Sequence, residues 1–305
     1  MPFLELKINA PAKINLHLAV LDKRPDCFHN LESIFFAVDL NDTLYFKPFE
    51  AENSAEITME GILSSVPIPL EKNIIFKALS LFRAKTGFSR GLKIKVEKRI
   101  PFGGGLGGGS SNAASALLAM NRLAGGPLSR DELLQMAAAI GSDVPFFIHE
   151  TGVALVTGRG EKIRPLKAPN WFFVLVNPGF QSDTCTAFKL LDKNRNSSQK
   201  SAKAKKPNNF SSPGSAASLC DEDFELFVND FLNVFEEPEK LIYNSIISDL
   251  HELGAQYANI SGTGSTCFGV FGEIEKAKEA AASLRNKWNF VECCSVQKEK
   301  SSHCK

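Results

Sequence analysis

The residues best suited to chemistry lie in a glycine-rich segment at positions 101–111, which holds six glycines and ends in two serines. The alternation of Leu92, Ile94 and Val96 before it is typical of a strand, and the alanine- and leucine-rich segment after it is typical of a helix. Glycine lets a backbone approach a ligand closely, and the first turn of a helix offers unpaired N–H groups and the positive end of the helix dipole. The segment therefore predicts a phosphate-binding loop whose serine hydroxyls can contact phosphate or a metal ion.

Other interpretations of the glycine-rich segment fit its surroundings less well. Its glycines match the dinucleotide pattern G-x-G-x-x-G, but the acids about twenty residues further on, Asp131 and Glu132, begin a helix and do not end a strand. A Walker A loop needs a lysine after its last glycine, and none follows here. A flexible linker is a further alternative, against which the flanking strand and helix argue.

Polar residues also recur at regular spacing near the start of the chain. Residues 4–10 and 14–20 alternate between apolar and polar types on either side of Pro11, which predicts two half-buried strands. Lys13 and Asn15 are two residues apart, so a strand places them on one face. The pattern therefore predicts a β-rich start of the chain with polar groups on one face.

Periodicity and capping predict the remaining elements. A helix is expected over residues 73–85, and Ser129 with Glu132 forms a capping box for the helix over residues 129–141. Beyond residue 150 we expect strands at 152–157 and 171–176, helices near 184–192, 222–235, 239–253 and 274–287, strands around the loop at 261–264, and a last strand reaching residue 296. Residues 194–218 have almost no apolar content and predict a flexible insertion.

Composition fits a globular chain without a strong overall field. The 305 residues are 44% hydrophobic and correspond to about two domains. Strands and helices that do not alternate strictly predict an α+β fold, divided into residues 1–160 and residues 161–305. The formal net charge is +1, so we expect neither nucleic acid nor a membrane as a partner.

The cysteines and the start of the sequence predict where the protein resides. There are seven cysteines without C-x-x-C spacing, which favours free thiols in a reducing compartment over disulfides or structural zinc. The first residues lack a basic start followed by an apolar run, and the densest apolar run, residues 171–176, is far shorter than the ~18 residues of a membrane span. We therefore expect a cytoplasmic protein.

Three segments together resemble the GHMP kinases: residues 11–16, the glycine-rich segment, and residues 260–266, in matching order and spacing. The resemblance implies an N-terminal α/β domain with a left-handed βαβ unit and a ferredoxin-like C-terminal domain, the latter carrying the insertion. It also implies ATP as phosphoryl donor, with Mg²⁺ expected on ligands that stay unknown, and a loop at residues 261–264 that folds against the phosphate site. We expect a monomer or a weak homodimer.

Within that family, residues 26–31, 39–42 and 141–147 are similar to blocks of the members that phosphorylate the 2-hydroxyl of 4-diphosphocytidyl-2-C-methyl-D-erythritol. That reaction belongs to the non-mevalonate isoprenoid pathway. Cys27 and Phe28 depart from the pattern, which has glycine and tyrosine there. We expect the cysteine to restrict the turn, and the phenylalanine to lose one hydrogen bond while keeping a stacking face.

Two alternative functions stay open. Another GHMP kinase acting on a different alcohol would lack the segment that contains His29. A non-catalytic nucleotide-binding regulator would have lost Lys13 or Asp143, and both are present.

The resemblance also implies roles for individual residues. Asp143 would be the base that takes the hydroxyl proton, Lys13 would pair with it and stabilise the reacting oxygen, and Asn15 would position Lys13 or substrate. The alternatives are that Asp143 only caps the helix that begins at Val144, and that Lys13 is an ordinary solvated lysine.

Two sets of binding residues complete these expectations. The predicted ATP-binding residues are Pro101, Phe102, Gly103, Gly104, Gly105, Leu106, Gly107, Gly108, Gly109, Ser110, Ser111, Asn73, Lys98, Gly262 and Gly264. The predicted substrate-binding residues are Asn15, Phe28, His29, Thr184 and Phe188. Phe28 and Phe188 would stack on the cytosine, and His29 would bond to its edge. Since the chain has 24 phenylalanines, a core position is the alternative for Phe188.

Overall fold

A computed structural model describes residues 5–61, 73–167, 169–197 and 219–297. Its strands are β1 (Leu6–Lys23), β2 (His29–Glu52), β3 (Ala55–Gly61), β4 (Arg90–Lys98), β5 (Val153–Gly158), β6 (Lys162–Pro165), β7 (Phe172–Asn177), β8 (Tyr257–Ile260), β9 (Cys267–Phe271) and β10 (Phe290–Ser295). Its α-helices are α1 (Ile74–Thr86), α2 (Gly108–Leu123), α3 (Arg130–Ile140), α4 (Val144–His149), α5 (Thr184–Ser197), α6 (Glu239–Glu252) and α7 (Ile274–Leu284). The mixture is the predicted α+β class.

The chain divides into two units whose segments interleave along the sequence. The first unit consists of Met1–Ala12, Leu40–Phe102 and Gly107–Thr151, and the second of Lys13–Asp39, Gly103–Leu106 and Gly152–Lys305. The last boundary lies near the predicted division at residue 160. Strands β1 and β2 and the glycine-rich segment each contribute residues to both units, because the boundaries fall inside them.

The first unit contains a βαβ arrangement followed by a helical layer. β3 and β4 are parallel and are joined through α1, and the C-terminal half of β2 pairs antiparallel with β4. Helix α1 begins where the Asn73 side chain accepts from the N–H of Ile75, and it ends at Gly87. The predicted capping box of Ser129 and Glu132 begins α3. The predicted helix over residues 73–85 and the predicted capping box are confirmed, and the left-handed sense of the βαβ unit stays a prediction.

The second unit contains an antiparallel sheet with strand order β10-β7-β9-β8. Helix α6 precedes β8, and α7 connects β9 to β10, which is the β-α-β-β-α-β succession of the predicted ferredoxin-like domain. One face of each helix is buried, including Tyr243, Ile246 and Leu250 of α6. In the same unit the N-terminal half of β2 pairs with β5, which pairs with β6.

The N-terminal strand and the region after residue 220 differ from prediction. β1 is one strand that continues through Pro11, not two strands. The helix predicted over residues 222–235 is wrong, because a 3₁₀ turn at Asp221–Leu226 is followed by a segment that bonds to β1. The N–H of Leu18 donates to Val228, and the Leu18 carbonyl accepts from Asp230.

The predicted insertion at residues 194–218 also needs correction at its start. Residues 194–197 form the last turn of α5, which is longer than the helix predicted over 184–192. The Arg195 side chain holds this turn by donating to the carbonyls of Val20 and Leu21 and to the carboxylate of Asp230. Residues 198–218 lie outside the described residues.

Across the described ranges, no helix is both long enough and apolar enough to cross a membrane.

Candidate active site

The carbonyl groups of residues 103–106 all accept hydrogen bonds within the second unit. Gly103 accepts from the N–H of Ser182 at 3.0 Å, and Gly104 from the N–H of Thr266 at 3.2 Å. Gly105 accepts from the hydroxyl of Ser261, and Leu106 from the N–H of Lys13, each at 2.9 Å. A trans peptide directs its carbonyl and its N–H to opposite sides, so the N–H groups of Gly104, Gly105 and Leu106 point away from these donors. None of the three donates to a described residue. Successive free N–H groups bind anions, so this half of the loop fits a polyphosphate.

Residue 105 has room only for glycine. Its φ is +74°, and a Cβ there would lie 2.0 Å from the carbonyl oxygen of Ser261. The loop between β8 and β9 therefore lies directly against residue 105 of the glycine-rich loop, as the family resemblance implies. Its Gly264 is equally confined, because a Cβ at that position would lie 2.6 Å from the hydroxyl of Tyr243.

Residues 107–111 belong to the first unit and begin α2. Gly107 is the N-cap and has no side chain to cap the helix, so the N–H groups of the first turn are left for another acceptor. The Ser111 hydroxyl and the Asn112 side-chain oxygen are buried and lack a hydrogen-bond partner among the described residues. Leaving a buried polar group unpaired costs about 1–3 kcal/mol. These atoms therefore indicate a ligand. The serine hydroxyl suits a phosphate or a hard cation such as Mg²⁺, and the asparagine oxygen, which only accepts hydrogen bonds, suits the cation.

Lys98 leads into the loop as half of a buried ion pair. Its ammonium donates to the carboxylate of Asp42, and the two residues are 3% and 0% exposed. The other Asp42 oxygen accepts from the N–H groups of Arg99 and Ile100 at 2.8 and 2.9 Å. The Lys98 ammonium also lies 4.8 Å from the centre of the Phe102 ring. Asp42 thus holds the backbone where it enters the loop, while a contact of Lys98 with adenine stays a prediction.

Lys13 and Asn15 lie together on β1, as their spacing predicts. The Lys13 ammonium donates to the side-chain oxygen of Asn15, whose amide donates to the Ser33 hydroxyl at 3.0 Å. Lys13 is 4% exposed and its ammonium lies 4.8 Å from the centre of the Phe35 ring. Because Lys13 is buried among these groups, the alternative of a solvated lysine is wrong.

The same strand is tied to the loop between β8 and β9. The N–H of Asn15 donates to the Ser261 hydroxyl at 3.1 Å, and that hydroxyl donates to Gly105. Gly262 leaves space for the Asn15 side chain, because a Cβ there would lie 3.2 Å from its oxygen. One serine hydroxyl therefore joins β1 to the glycine-rich loop.

A second group of predicted residues surrounds His29. Its ring stacks on Phe188 with centroids 5.3 Å apart, and its Nε2 lies 2.9 Å from Oδ1 of Asp192. Lys23 donates to Oδ2 of the same carboxylate at 2.6 Å. Partial burial acts to raise the pKa of Asp192, but the hydrogen bonds and charges of Lys23 and His29 outweigh it and hold that pKa below its ordinary value. Asp192 is therefore an ionised acceptor at neutral pH.

Phe28 presents an open face close to this group in sequence. It is 50% exposed, and the guanidinium of Arg159 lies 5.0 Å from its ring centre. Cys27 before it adopts φ +67°, a left-handed conformation that favours glycine. A restriction of the turn by Cys27 stays a prediction, and this conformation is one reason to expect it. Stacking of Phe28 and Phe188 on one base stays a prediction, since Phe188 here stacks on His29, meets Phe231 edge to face, and is partly buried against the core.

The other predicted residues have more limited contacts. Thr184 begins α5, and its hydroxyl lies 3.3 Å from that of Thr263. The side-chain oxygen of Asn73 caps α1, so this residue has a structural role besides the predicted one. Asp143 stands at the N-cap position of α4 but makes no capping bond with its side chain, which leaves the capping alternative without support. Its pairing with Lys13, which belongs to the other unit, stays a prediction.

The described cysteines and acidic residues form neither metal-binding clusters nor disulfides. Within the described ranges no cluster of three or more histidine, cysteine, aspartate or glutamate side chains could hold a metal ion. The six described cysteines are free thiols, and burial strongly raises the pKa of Cys267.

Several residues that the structure places beside the glycine-rich loop or near His29 and Phe28 had no predicted role. Asp42 was visible in the block at residues 39–42, but nothing local shows that it binds Lys98. Asp192 follows Phe188 by four positions on α5, a spacing that puts both on one helix face and could have identified it. Asn112 and Arg159 had no comparable signal.

Comparison with known proteins defines the class. Residues 73–151 match the family described as GHMP kinases N terminal domain, and residues 218–289 match GHMP kinases C terminal. The chain belongs to the GHMP kinase family, which confirms the predicted family and fold class. Mevalonate kinase from L. major shares the fold, with a TM-score of 0.67 over 98% of each chain at 14% identity.

More similar proteins carry one name within that family. The 4-diphosphocytidyl-2-C-methyl-D-erythritol kinase of Syntrophotalea carbinolica is 37% identical over 91% of this chain and 94% of its own. The chloroplastic kinase of that name from Arabidopsis thaliana is 36% identical over 88% of this chain and 68% of its own. A crystal structure of 4-(cytidine 5'-diphospho)-2C-methyl-D-erythritol kinase matches with a TM-score of 0.70 and 28% identity, over 96% of this chain and all of that chain.

Proposed function

We propose that this chain transfers the terminal phosphoryl group of ATP to the 2-hydroxyl of 4-diphosphocytidyl-2-C-methyl-D-erythritol, a step towards isoprenoid precursors. The named relatives at 36–37% identity support this acceptor. The observation that carries the chemistry is the row of free N–H groups at Gly104, Gly105 and Leu106. Such a surface binds a polyphosphate, and a kinase needs to position one.

The ATP site would be built by the glycine-rich loop and the residues beside it. The N–H groups would bind phosphate oxygens, and Lys98 and Asn73 would lie towards the adenosine. Mg²⁺ would neutralise phosphate charge when bound, and the unpaired oxygens of Ser111 and Asn112 are the groups that would hold it. Gly262 and Gly264 would keep the neighbouring loop close enough to shield the phosphates.

Activation of the acceptor would fall to two charged residues. Asp143 would accept the proton of the 2-hydroxyl, and Lys13 would stabilise the negative charge that develops on the oxygen. Asn15 would orient the Lys13 ammonium, to which it is hydrogen-bonded. These roles need both groups in place as the oxygen attacks, because phosphoryl transfer depends mainly on positioning and charge stabilisation.

The cytidyl group would be held by the residues around His29. Phe28 and Phe188 supply aromatic faces, His29 supplies ring nitrogens for the base edge, and Thr184 supplies a hydroxyl. The stack of His29 on Phe188 keeps both rings in fixed planes before any ligand binds.

The test is ADP release from ATP and Mg²⁺ with alternative acceptors. We expect turnover with 4-diphosphocytidyl-2-C-methyl-D-erythritol and background release with mevalonate, homoserine or no acceptor. Turnover that is fastest with another alcohol would assign the chain to a different GHMP activity. ATP binding without turnover on any acceptor would instead identify a nucleotide-binding regulator.

A further inference from the structure

The Asp192 side chain bonds to two side chains from other elements of the second unit. It lies on α5, its Oδ1 is 2.9 Å from Nε2 of His29 on β2, and its Oδ2 accepts from Lys23 at the end of β1. The His29 side chain is 6% exposed and that of Asp192 is 27% exposed. The carboxylate thus reaches a nearly buried histidine from the solvent side.

This contact determines which nitrogen of His29 carries the proton. An ionised carboxylate only accepts hydrogen bonds, so Nε2 must donate and therefore bears the hydrogen in the neutral ring. The opposite nitrogen, Nδ1, then has a free lone pair. No described residue donates to or accepts from Nδ1, which leaves it available to a ligand.

The lone pair on Nδ1 distinguishes two pyrimidine bases. Cytosine carries an amino group at position 4, which donates, whereas uracil carries a carbonyl oxygen there, which only accepts. An accepting nitrogen forms a hydrogen bond with the amino group of cytosine and is repelled by the carbonyl oxygen of uracil. Because the His29 ring is nearly buried and stacked on Phe188, it cannot turn freely to offer its other edge.

We propose that Asp192 makes the site prefer cytosine over uracil by holding His29 in the tautomer whose Nδ1 accepts. This rests on the proposed function, in which His29 contacts the base. Asp192 is a positioning residue here: it touches His29 and not the substrate. Lys23 assists by binding the second carboxylate oxygen, which keeps the first directed at the ring.

The experiment compares binding of cytidine 5'-diphosphate and uridine 5'-diphosphate by calorimetry. In Asp192→Asn the Lys23 ammonium, which only donates, takes the side-chain carbonyl oxygen, so the amide NH₂ faces Nε2 and donates to it, which moves the ring proton to Nδ1. We expect the preference for the cytidine compound to fall about tenfold or more, because one well-formed pair to a base edge gives discrimination of this order. Asp192→Glu, which keeps an accepting carboxylate, should restore most of the preference. Glu279→Gln on the exposed face of α7 is the matched control and should retain all of it.

A second measurement separates this role from a structural one. ¹⁵N spectra of histidine-labelled, ligand-free protein distinguish a protonated ring nitrogen from an unprotonated one, and His29→Gln assigns the signals. We expect the proton on Nε2 in the parent protein and on Nδ1 in Asp192→Asn. The proposal is overturned if the tautomer does not change, or if the base preference survives the substitution.

The remaining outcomes are also decisive. A parent protein without any preference for the cytidine compound overturns the proposal, and the ADP-release test then decides separately whether the proposed function stands. If Asp192→Asn does not fold, Asp192→Ala removes the acceptor without adding a donor, and its base preference decides in the same way.

Discussion

The carbonyl oxygen of Ser261 occupies the space in which a side chain at Gly105 would begin. A Cβ on residue 105 would lie 2.0 Å from that oxygen, and the Ser261 hydroxyl donates to the Gly105 carbonyl at 2.9 Å. The two residues are 156 positions apart, so this contact closes one loop of the second unit on another. Glycine is required here for space as well as for backbone conformation.

Gly105→Ala tests that relationship. We expect it to abolish measurable ATP binding in calorimetry, because moving the loop away from Ser261 displaces the free N–H groups. Gly126→Ala is the matched control: its φ of +77° is similar to that of Gly105, but nothing lies within 4 Å of a Cβ there. The control should lose only about 1–2 kcal/mol of stability from the left-handed conformation and keep its ATP affinity. Equal effects of the two substitutions would contradict the steric argument.

Asp42→Asn tests the buried pair with Lys98. It leaves a buried ammonium without its counter-ion, and we expect the free energy of unfolding to fall by about 3–5 kcal/mol in urea titration. Glu56→Gln breaks the pair of Glu56 with Lys93, whose side chains are about half exposed, and should cost below about 1 kcal/mol. Adding Lys98→Met to Asp42→Asn should recover part of the loss. A cost no larger than that of the control would show that the buried pair is not needed.

Lys13→Ala and Asp143→Asn test the assigned chemistry. Each should lower kcat by about 10²-fold or more, because a base and a charge stabiliser act in the transition state, while both variants keep the parent fold. Lys162→Ala and Asp131→Asn change exposed residues of the same types and should leave kcat unaltered. Near-normal turnover in either site variant would remove that residue from the mechanism.

Cys27→Gly tests the strained turn before Phe28. A left-handed conformation costs an L-residue about 1–2 kcal/mol, which glycine avoids. The extra freedom of glycine in the unfolded chain offsets about 0.5–1 kcal/mol of that stabilisation. We therefore expect Cys27→Gly to be more stable than Cys27→Ala by about 0.5–1 kcal/mol in urea unfolding. Both variants lack the thiol, so their difference isolates the backbone. Equal stabilities would show that the turn relaxes without cost.

We expect Asp192 to contribute to the stability of the fold in a way that depends on pH. Its pKa in the folded protein lies below the ordinary value of 3.8, so its charged form stabilises the fold. The contribution is present above the pKa of the unfolded chain and is lost as the pH falls through the lower pKa of the folded state. When the pH is lowered from about 7 to about 3, the free energy of unfolding should therefore fall less in Asp192→Asn than in the parent. Parallel pH profiles of parent and variant would contradict this.

Short-range features of this protein could be predicted from its sequence because they depend on neighbouring residues. The caps at Asn73 and Ser129 involve atoms two or three positions apart, and the glycine-rich loop lies between a strand and a helix that each show their own periodicity. The spacing of Lys13 and Asn15 likewise placed both on one strand face. The motifs that these segments form were sufficient to predict the family.

Tertiary structure decided the contacts that join distant segments. His29 and Asp192 are 163 positions apart, and Lys98 and Asp42 are 56 apart, so no local pattern pairs them. The segment near Asp230 bonds to β1 and is not helical, although its composition suits a helix. Each of these contacts satisfies a buried or charged group with a partner that only the folding of the chain brings within hydrogen-bond distance.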